Sequence, residues 1–242
     1  MEFRNPGAVI EETIRVRKLK QFFNLLTPKE LIIDLACGLR PYAPLYKSKF
    51  SRTIGIEHPD SPFPKNSIDI YCLADAIPME SNTADVILAT EMLHDMAEPT
   101  AVLDEIFRIV KPGGYLILTT PFLVPIVDGR YDHYRYTRYG LDYLLKKSGF
   151  EVEKTEQVGD IISSAIILTT KPWLRFWNML AKRLHLDIIY SYWNPLLQIT
   201  VILPQVSYLL LENIPPFSIF LKHFNYGCIG YYSVARKPGD VS

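Results

Sequence analysis

The run Leu31-Ile32-Ile33-Asp34-Leu35 is too short for a helix, shows no polar alternation, and empties into a loop carrying Gly38, Pro41 and Pro44. A strand written this way is buried on both faces, and such strands belong to parallel sheets covered by helices. Further strand candidates follow at 52–57, 69–73, 84–90, 115–120, 150–158 and 226–235, with helices expected in the gaps between them. The clearest helix opens at Pro99, runs through Val110 and is expected to stop at Lys111-Pro112-Gly113-Gly114. Thr137 reads as the N-cap of another, ended by Gly149. An amphipathic helix with Ile10, Ile14, Leu19, Phe22 and Leu26 precedes the first strand. The expectation is an α/β fold: a Rossmann-like, doubly wound, mostly parallel seven-stranded sheet, whose ligands bind beyond the carboxyl ends of the strands.

One stretch breaks the alternation. From 160 to 225 the chain turns apolar and aromatic and carries Pro172, Pro195, Pro204, Pro215 and Pro216, which reads as an α-helical insertion before the last strand. The domain reading is therefore 1–159 plus 226–242 as the sheet domain and 160–225 as the insertion. Between Asp187 and Glu212 lie about 24 residues without a charge, nominally enough to span a bilayer. Asn194, Gln198, Gln205, Pro195 and Pro204 interrupt that stretch, so a buried cap over the ligand crevice is the favoured reading over a true span. Trp173, Phe176 and Trp177 beside Lys171, Arg175, Lys182 and Arg183 keep contact with a membrane surface as the alternative.

Composition excludes whole classes. With 48% hydrophobic and 21% charged residues among 242, the chain buries a core and is not intrinsically disordered. Its 26 basic and 26 acidic side chains cancel, so no global field draws it to nucleic acid, and no nucleic-acid partner is expected. Cys37, Cys72 and Cys228 are an odd, scattered set that supports neither a disulfide framework nor a cysteine zinc site, and no metal is expected. A reducing, cytoplasmic setting follows, since Met1 to Lys20 also lacks the apolar core of a secretory signal.

The chemistry gathers at the strand ends. Gly38 lies in the loop after the first strand, and Glu57 ends the second about twenty residues further on. A glycine there lets a ligand approach the backbone, and an acid at the next strand end can accept both hydroxyls of a ribose. The G-x-G-x-x-G spacing that seats a pyrophosphate is absent, and a carboxylate at Asp34 would repel phosphate while attracting a cation. The site suits a nucleoside carrying positive charge; the bland alternative for Asp34 is that it caps the turn.

Six segments in order resemble the class I S-adenosylmethionine-dependent methyltransferases, in the branch reading D-L-G-C-G-x-x-P-Y through D-Y-Y-R-Y-T. They are Asp34 to Tyr42, Gly55-Ile56-Glu57, Ala74-Asp75-Ala76, Leu93-His94-Asp95, Val110 to Leu116, and Asp132 to Thr137 followed by Gly140-Leu141. The resemblance implies S-adenosylmethionine as cofactor, with Asp34, Ala36, Cys37 and Gly38 around its methionine part. It further implies Glu57 on the ribose, Asp75 with the backbone of Ala76 and Ile77 on the adenine, and Thr90 and Glu91 along the floor. Methyl transfer to a small-molecule or glycoconjugate acceptor is the expected activity. A cofactor-binding or scaffolding protein without turnover is the alternative, and nothing here reads out an oligomeric state.

The chain departs from that pattern in three places: Ala36 stands for the first glycine, His94-Asp95 for Glu-His, and His133 for the first tyrosine. Methyl transfer needs a base only when the nucleophile is a hydroxyl or a protonated amine, and His133 then His94 are the candidates. The alternatives are a surface-loop residue and a structural histidine. Tyr134, Arg135 and Tyr136 are candidates for holding a sugar or an acidic acceptor, or else pack a helix entry.

Overall fold

The computed structural model describes residues 8–126, 131–185, 187–223 and 227–239. In chain order the elements are α1 (Val9–Leu25), β1 (Lys29–Leu35), α2 (Ala43–Tyr46), β2 (Phe50–Glu57), β3 (Ile70–Tyr71), β4 (Ala84–Thr90), α3 (Pro99–Ile109), β5 (Val110–Pro121), α4 (Arg138–Lys147), β6 (Glu151–Val158), α5 (Ile161–Arg183), α6 (Asp187–Leu211), α7 (Phe217–His223) and β7 (Gly230–Arg236). Seven strands form one sheet in the order β3-β2-β1-β4-β5-β7-β6, and the pairs β3-β2, β2-β1, β1-β4 and β4-β5 are parallel. The order reverses between β1 and β4. This is the doubly wound, Rossmann-like fold expected from the sequence, and β1 and β4 flank its switch point.

The central strands are apolar because both faces are covered. Ile32, Ile33, Val86, Ile87, Leu88, Leu116, Ile117 and Leu118 are all buried. α3 buries Val102, Leu103, Ile106 and Ile109, spaced as one helical face. Thr137 caps α4 by accepting from the Gly140 N–H at 3.1 Å, and Gly149 closes that helix at φ +93°, a conformation that favours glycine.

Two local expectations are corrected. Helices do not fill the gaps on either side of β3: among the described residues only a three-residue 3₁₀ turn, Lys65–Ser67, lies between β2 and β3, and none between β3 and β4. Pro59, Pro62, Pro64 and Pro78 lie in those gaps, where each removes a helix donor. Lys111 to Gly114 is also not a loop: β5 starts at Val110, and a register shift opposite Ala84 and Val86 absorbs the turn. Gly114 makes this bulge possible, since a Cβ there would lie 2.9 Å from the carbonyl oxygens of Asp85 and Lys111.

The chain divides into two compact units. One comprises Val16–Phe122, Val127–Glu156 and Tyr231–Ser242; the other comprises Met1–Arg15, Leu123–Ile126 and Gln157–Gly230. In the second, Asp160 caps α5 by accepting from the N–H groups of Ile162 and Ser163, and Ser163 completes a capping box. The Tyr208 hydroxyl donates to the other Asp160 oxygen at 2.8 Å, tying α6 to the start of α5. The Gln205 side chain accepts from the Ile10 N–H at 3.2 Å, satisfying a first-turn donor of α1 that has no partner within its own helix. Glu11 receives Arg15 at 2.7 Å and Lys171 at 3.1 Å; burial pushes its carboxyl up, but these two cations leave it below the usual range. Asn225 and Tyr226, at the expected end of the insertion, lie outside the described residues, as does the side chain of Asn194. No described helix is long and apolar enough to cross a membrane.

Candidate functional site

The site is built at the carboxyl ends of β1, β2 and β4. Asp34 lies opposite Gly55 of β2 and Leu88 of β4, deep between two neighbours, and is 2% exposed. Its carboxyl Oδ2 accepts from the Tyr46 hydroxyl at 2.7 Å. Burial pushes the Asp34 carboxyl up to about 7, against the opposing pull of the Tyr46 bond and the Arg40 charge. A carboxyl poised there is half neutral at neutral pH. The Cys37 thiol is also pushed up, to about 11, by burial and by Asp34, and is therefore no nucleophile.

The loop after β1 takes left-handed backbone at alternate residues: Ala36 at φ +55°, Gly38 at +51° and Arg40 at +51°. A glycine stands at only one of these. The Gly38 N–H donates to Glu57 Oε2 at 2.7 Å, and the His58 N–H donates to Oε1 at 3.1 Å. The acid ending β2 and the glycine loop ending β1 are thus brought together. The Phe63 ring closes over Gly38, where a Cβ would come within 3.2 Å of it. Arg40 pairs with Asp69 and lies over Gly55, leaving no room for a side chain there. The Gly55 N–H donates to the same Asp69 carboxylate at 2.8 Å.

Asp75 is exposed in the turn after β3, while Ile77 beside it is buried. The Ala76 N–H donates to the Leu73 carbonyl at 3.2 Å and the Ile77 N–H to Glu105 at 2.8 Å. Arg108 binds Glu105 and reaches the carbonyls of Ile77 and Met79, so α3 clamps this turn. The Ala76 and Ile77 donors are spent on the fold, which leaves the Asp75 carboxylate as this turn's polar group facing outward.

Beyond β4 the chain bends sharply at Glu91, at φ +52°, whose N–H donates to the carbonyl and hydroxyl of Thr119 at 3.0 and 3.1 Å. The 3₁₀ turn Leu93–Asp95 follows. His94 is buried, with Nε2 3.1 Å from Asp95 Oδ1, and its carbonyl accepts from the N–H groups of His133 and Tyr134. The two candidate histidines are therefore neighbours, one buried and one exposed. Tyr136 donates to the Leu93 carbonyl at 3.2 Å and Tyr134 to the Ala97 carbonyl at 3.0 Å, their rings stacked at 5.7 Å.

Arg135 grips Asp132 with two nitrogens, and the Asp132 side chain is only 1% exposed. That bond, with the nearby charges of Asp132, Asp95 and Glu91, raises the guanidinium pKa. Most of the polar capacity of 134–136 is consequently used to fasten this loop to the turn at 93–97. His94, Asp95 and Asp132 could offer one ligand atom each within 4.8 Å of one another, but Arg135 already occupies both Asp132 oxygens with positive charge. Sequence reasoning missed Tyr46, Phe63, Asp69 and Glu105. Each acts through a contact across the fold and leaves no local pattern to read.

Residues 33–118 match the model of a family described as methyltransferase domain. Over 137 residues the chain is 24% identical to a protein of Mycolicibacterium smegmatis named "Probable S-adenosylmethionine-dependent methyltransferase", covering 51% of this chain and 53% of that one. A tRNA (carboxymethyluridine(34)-5-O)-methyltransferase of Arabidopsis thaliana is 27% identical over 107 residues, covering 42% of this chain and 26% of its own. The match therefore spans about half or less of these relatives. Among solved structures, the [4+2]-cyclase SpnF superposes with a TM-score of 0.57 at 21% identity, over 95% of this chain and 82% of its own. At that identity the likeness concerns the fold.

Proposed function

We propose that this chain, whose residues 33–118 match a methyltransferase-domain family, is a class I S-adenosylmethionine-dependent methyltransferase acting on a small-molecule or glycoconjugate acceptor. One observation carries the reading: the Glu57 carboxylate, at the end of β2, is held against the Gly38 N–H. Each of its oxygens uses one acceptor position on the backbone, which leaves the other for a ribose hydroxyl. The donor set suits a cationic nucleoside, since Asp34, Glu57 and Asp75 are carboxylates and Arg40 is neutralised by Asp69.

Asp34, Ala36, Cys37 and Gly38 would hold the methionine part of the cofactor, Glu57 its ribose and Thr90 with Glu91 its floor; Asp75 would accept from the adenine, with Ala76 and Ile77, whose N–H groups are already bonded, only lining it. When bound, the cofactor supplies a methyl carbon already activated by its sulfonium. The protein's part is alignment and exclusion of water. Tyr134, Arg135 and Tyr136 shape the loop that faces the acceptor. His133, whose ring is exposed while its backbone is anchored on His94, takes the proton from a hydroxyl or ammonium acceptor. His94, paired with Asp95, supports that loop and is the second candidate base.

Cofactor binding by the Glu57→Ala variant tests the reading. An affinity loss of about 1 to 3 kcal/mol is expected, with Glu57→Gln intermediate because its amide oxygen can still accept the Gly38 N–H. Equal affinity in all three proteins would remove Glu57 from the site. Cofactor binding without methyl transfer is the second reading, because the same fold carries other functions, one such neighbour being named a cyclase; a transfer assay with labelled S-adenosylmethionine separates the two.

A further inference from the structure

The insertion helices carry apolar surface that nothing in their own unit covers. On α6, Leu196, Ile199, Leu203, Val206 and Leu210 follow one another at intervals of three and four residues, which places them on one face. Four of them are more than half exposed, at 53%, 54%, 61% and 68% for Leu196, Ile199, Leu203 and Leu210. The opposite face of the same helix is the packed one, with Val201, Gln205 and Tyr208 buried. α5 repeats the arrangement with Leu168, Trp173, Phe176 and Met179 exposed, and α7 with Ile219 and Phe220. Soluble monomers leave single apolar residues exposed, whereas successive stripes of this kind mark a docking surface.

Charge identifies the occupant. Every charged side chain between Asp160 and Asp187 is basic: Lys171, Arg175, Lys182 and Arg183. Lys171 is bound to Glu11, while Arg175, Lys182 and Arg183 are exposed beside Trp173, Phe176 and Met179. Cations flanking aromatic and aliphatic anchors match a bilayer interface, where the anchors enter the headgroup region and the cations meet anionic phosphates. A second protein helix is a poorer fit, because no charge between Asp187 and Glu212 could flank the seam and fix its register. No described helix is long and apolar enough to cross a membrane, and Pro172, Pro195 and Pro204 lie inside α5 and α6, where each removes a backbone donor, so the proposed contact is peripheral.

We infer that the exposed faces of α5 and α6 dock this protein onto the surface of an anionic lipid bilayer. This goes beyond the methyl-transfer reading and does not depend on it. The test is flotation of the full chain with vesicles of phosphatidylcholine alone and with vesicles containing phosphatidylglycerol. Binding is expected to the second kind, to weaken with added salt, and to fall about tenfold or more in Ile199→Asp/Leu203→Asp and in Arg175→Gln/Lys182→Gln/Arg183→Gln. Both sets of positions are exposed, and circular dichroism matching the wild type establishes that each variant is folded. Failure to bind phosphatidylglycerol vesicles overturns the inference, as does unchanged binding by the folded Ile199→Asp/Leu203→Asp variant. A concentration-dependent dimer that this variant dissociates, with no vesicle binding by the wild type, would assign the surface to a second copy instead.

Discussion

The Tyr46 hydroxyl donates to the Asp34 carboxyl at 2.7 Å, and both residues are buried. Burial pushes this carboxyl from the ordinary value of 3.8 up to about 7. Asp34 therefore binds its proton more tightly in the folded than in the unfolded chain. Its contribution is fully present below pH 4 and is lost as pH rises toward and through 7, a difference of about 4 kcal/mol by linkage. Urea unfolding at pH 5 and pH 8 should show Asp34→Asn losing less stability than the wild type over that interval. Tyr46→Phe, which removes a bond favouring the carboxylate, should steepen the wild-type loss.

In the proposed site the same carboxyl would couple cofactor binding to protons. An ammonium group brought near Asp34 favours its ionised form, so binding near neutral pH should release part of a proton. Calorimetric titrations in buffers of different ionisation enthalpy measure that release directly, and Asp34→Asn should abolish it.

Ala36 holds a left-handed φ of +55° that costs an alanine roughly 1 kcal/mol relative to glycine. Ala36→Gly should therefore raise the unfolding free energy by about 1 kcal/mol, or somewhat less if the unfolded chain gains entropy. Cofactor affinity should be kept or improved. Loss of affinity without loss of stability would show that the alanine methyl makes a needed contact.

These residues mark how far the sequence could be read. The strand run at 31–35 and the alternation after it were legible because burial on both faces imposes uniform apolarity. The pairing of Gly38 with Glu57 was legible because parallel strands place successive strand ends side by side. The short connections around β3 were not, because prolines mark where a helix stops but not that it never starts. The β5 start was misread because Lys-Pro-Gly-Gly has turn composition, while its bulge depends on the neighbouring strand. Tyr46 gave no signal, since its phenol is buried against Phe23 and Asp34, which belong to other elements.

Asp132 and Arg135 make a loop-fastening pair. Removing the guanidinium leaves a buried carboxylate without its bidentate partner, so Arg135→Met should cost about 3 kcal/mol in urea unfolding. Asp132→Asn/Arg135→Met should recover part of that loss, because the buried charge is then gone as well.

His133→Asn should lower the transfer rate about 100-fold or more for a hydroxyl acceptor. His94→Asn should instead lower the rate together with loop stability. An unchanged rate in His133→Asn would return His133 to a surface role.

Isothermal titration of the intact chain with S-adenosylmethionine, S-adenosylhomocysteine and NAD measures the central claim directly. The account predicts saturable binding of both sulfur nucleosides, weakened in Glu57→Ala, and none of NAD. Binding of neither sulfur nucleoside, or of NAD alone, would contradict it.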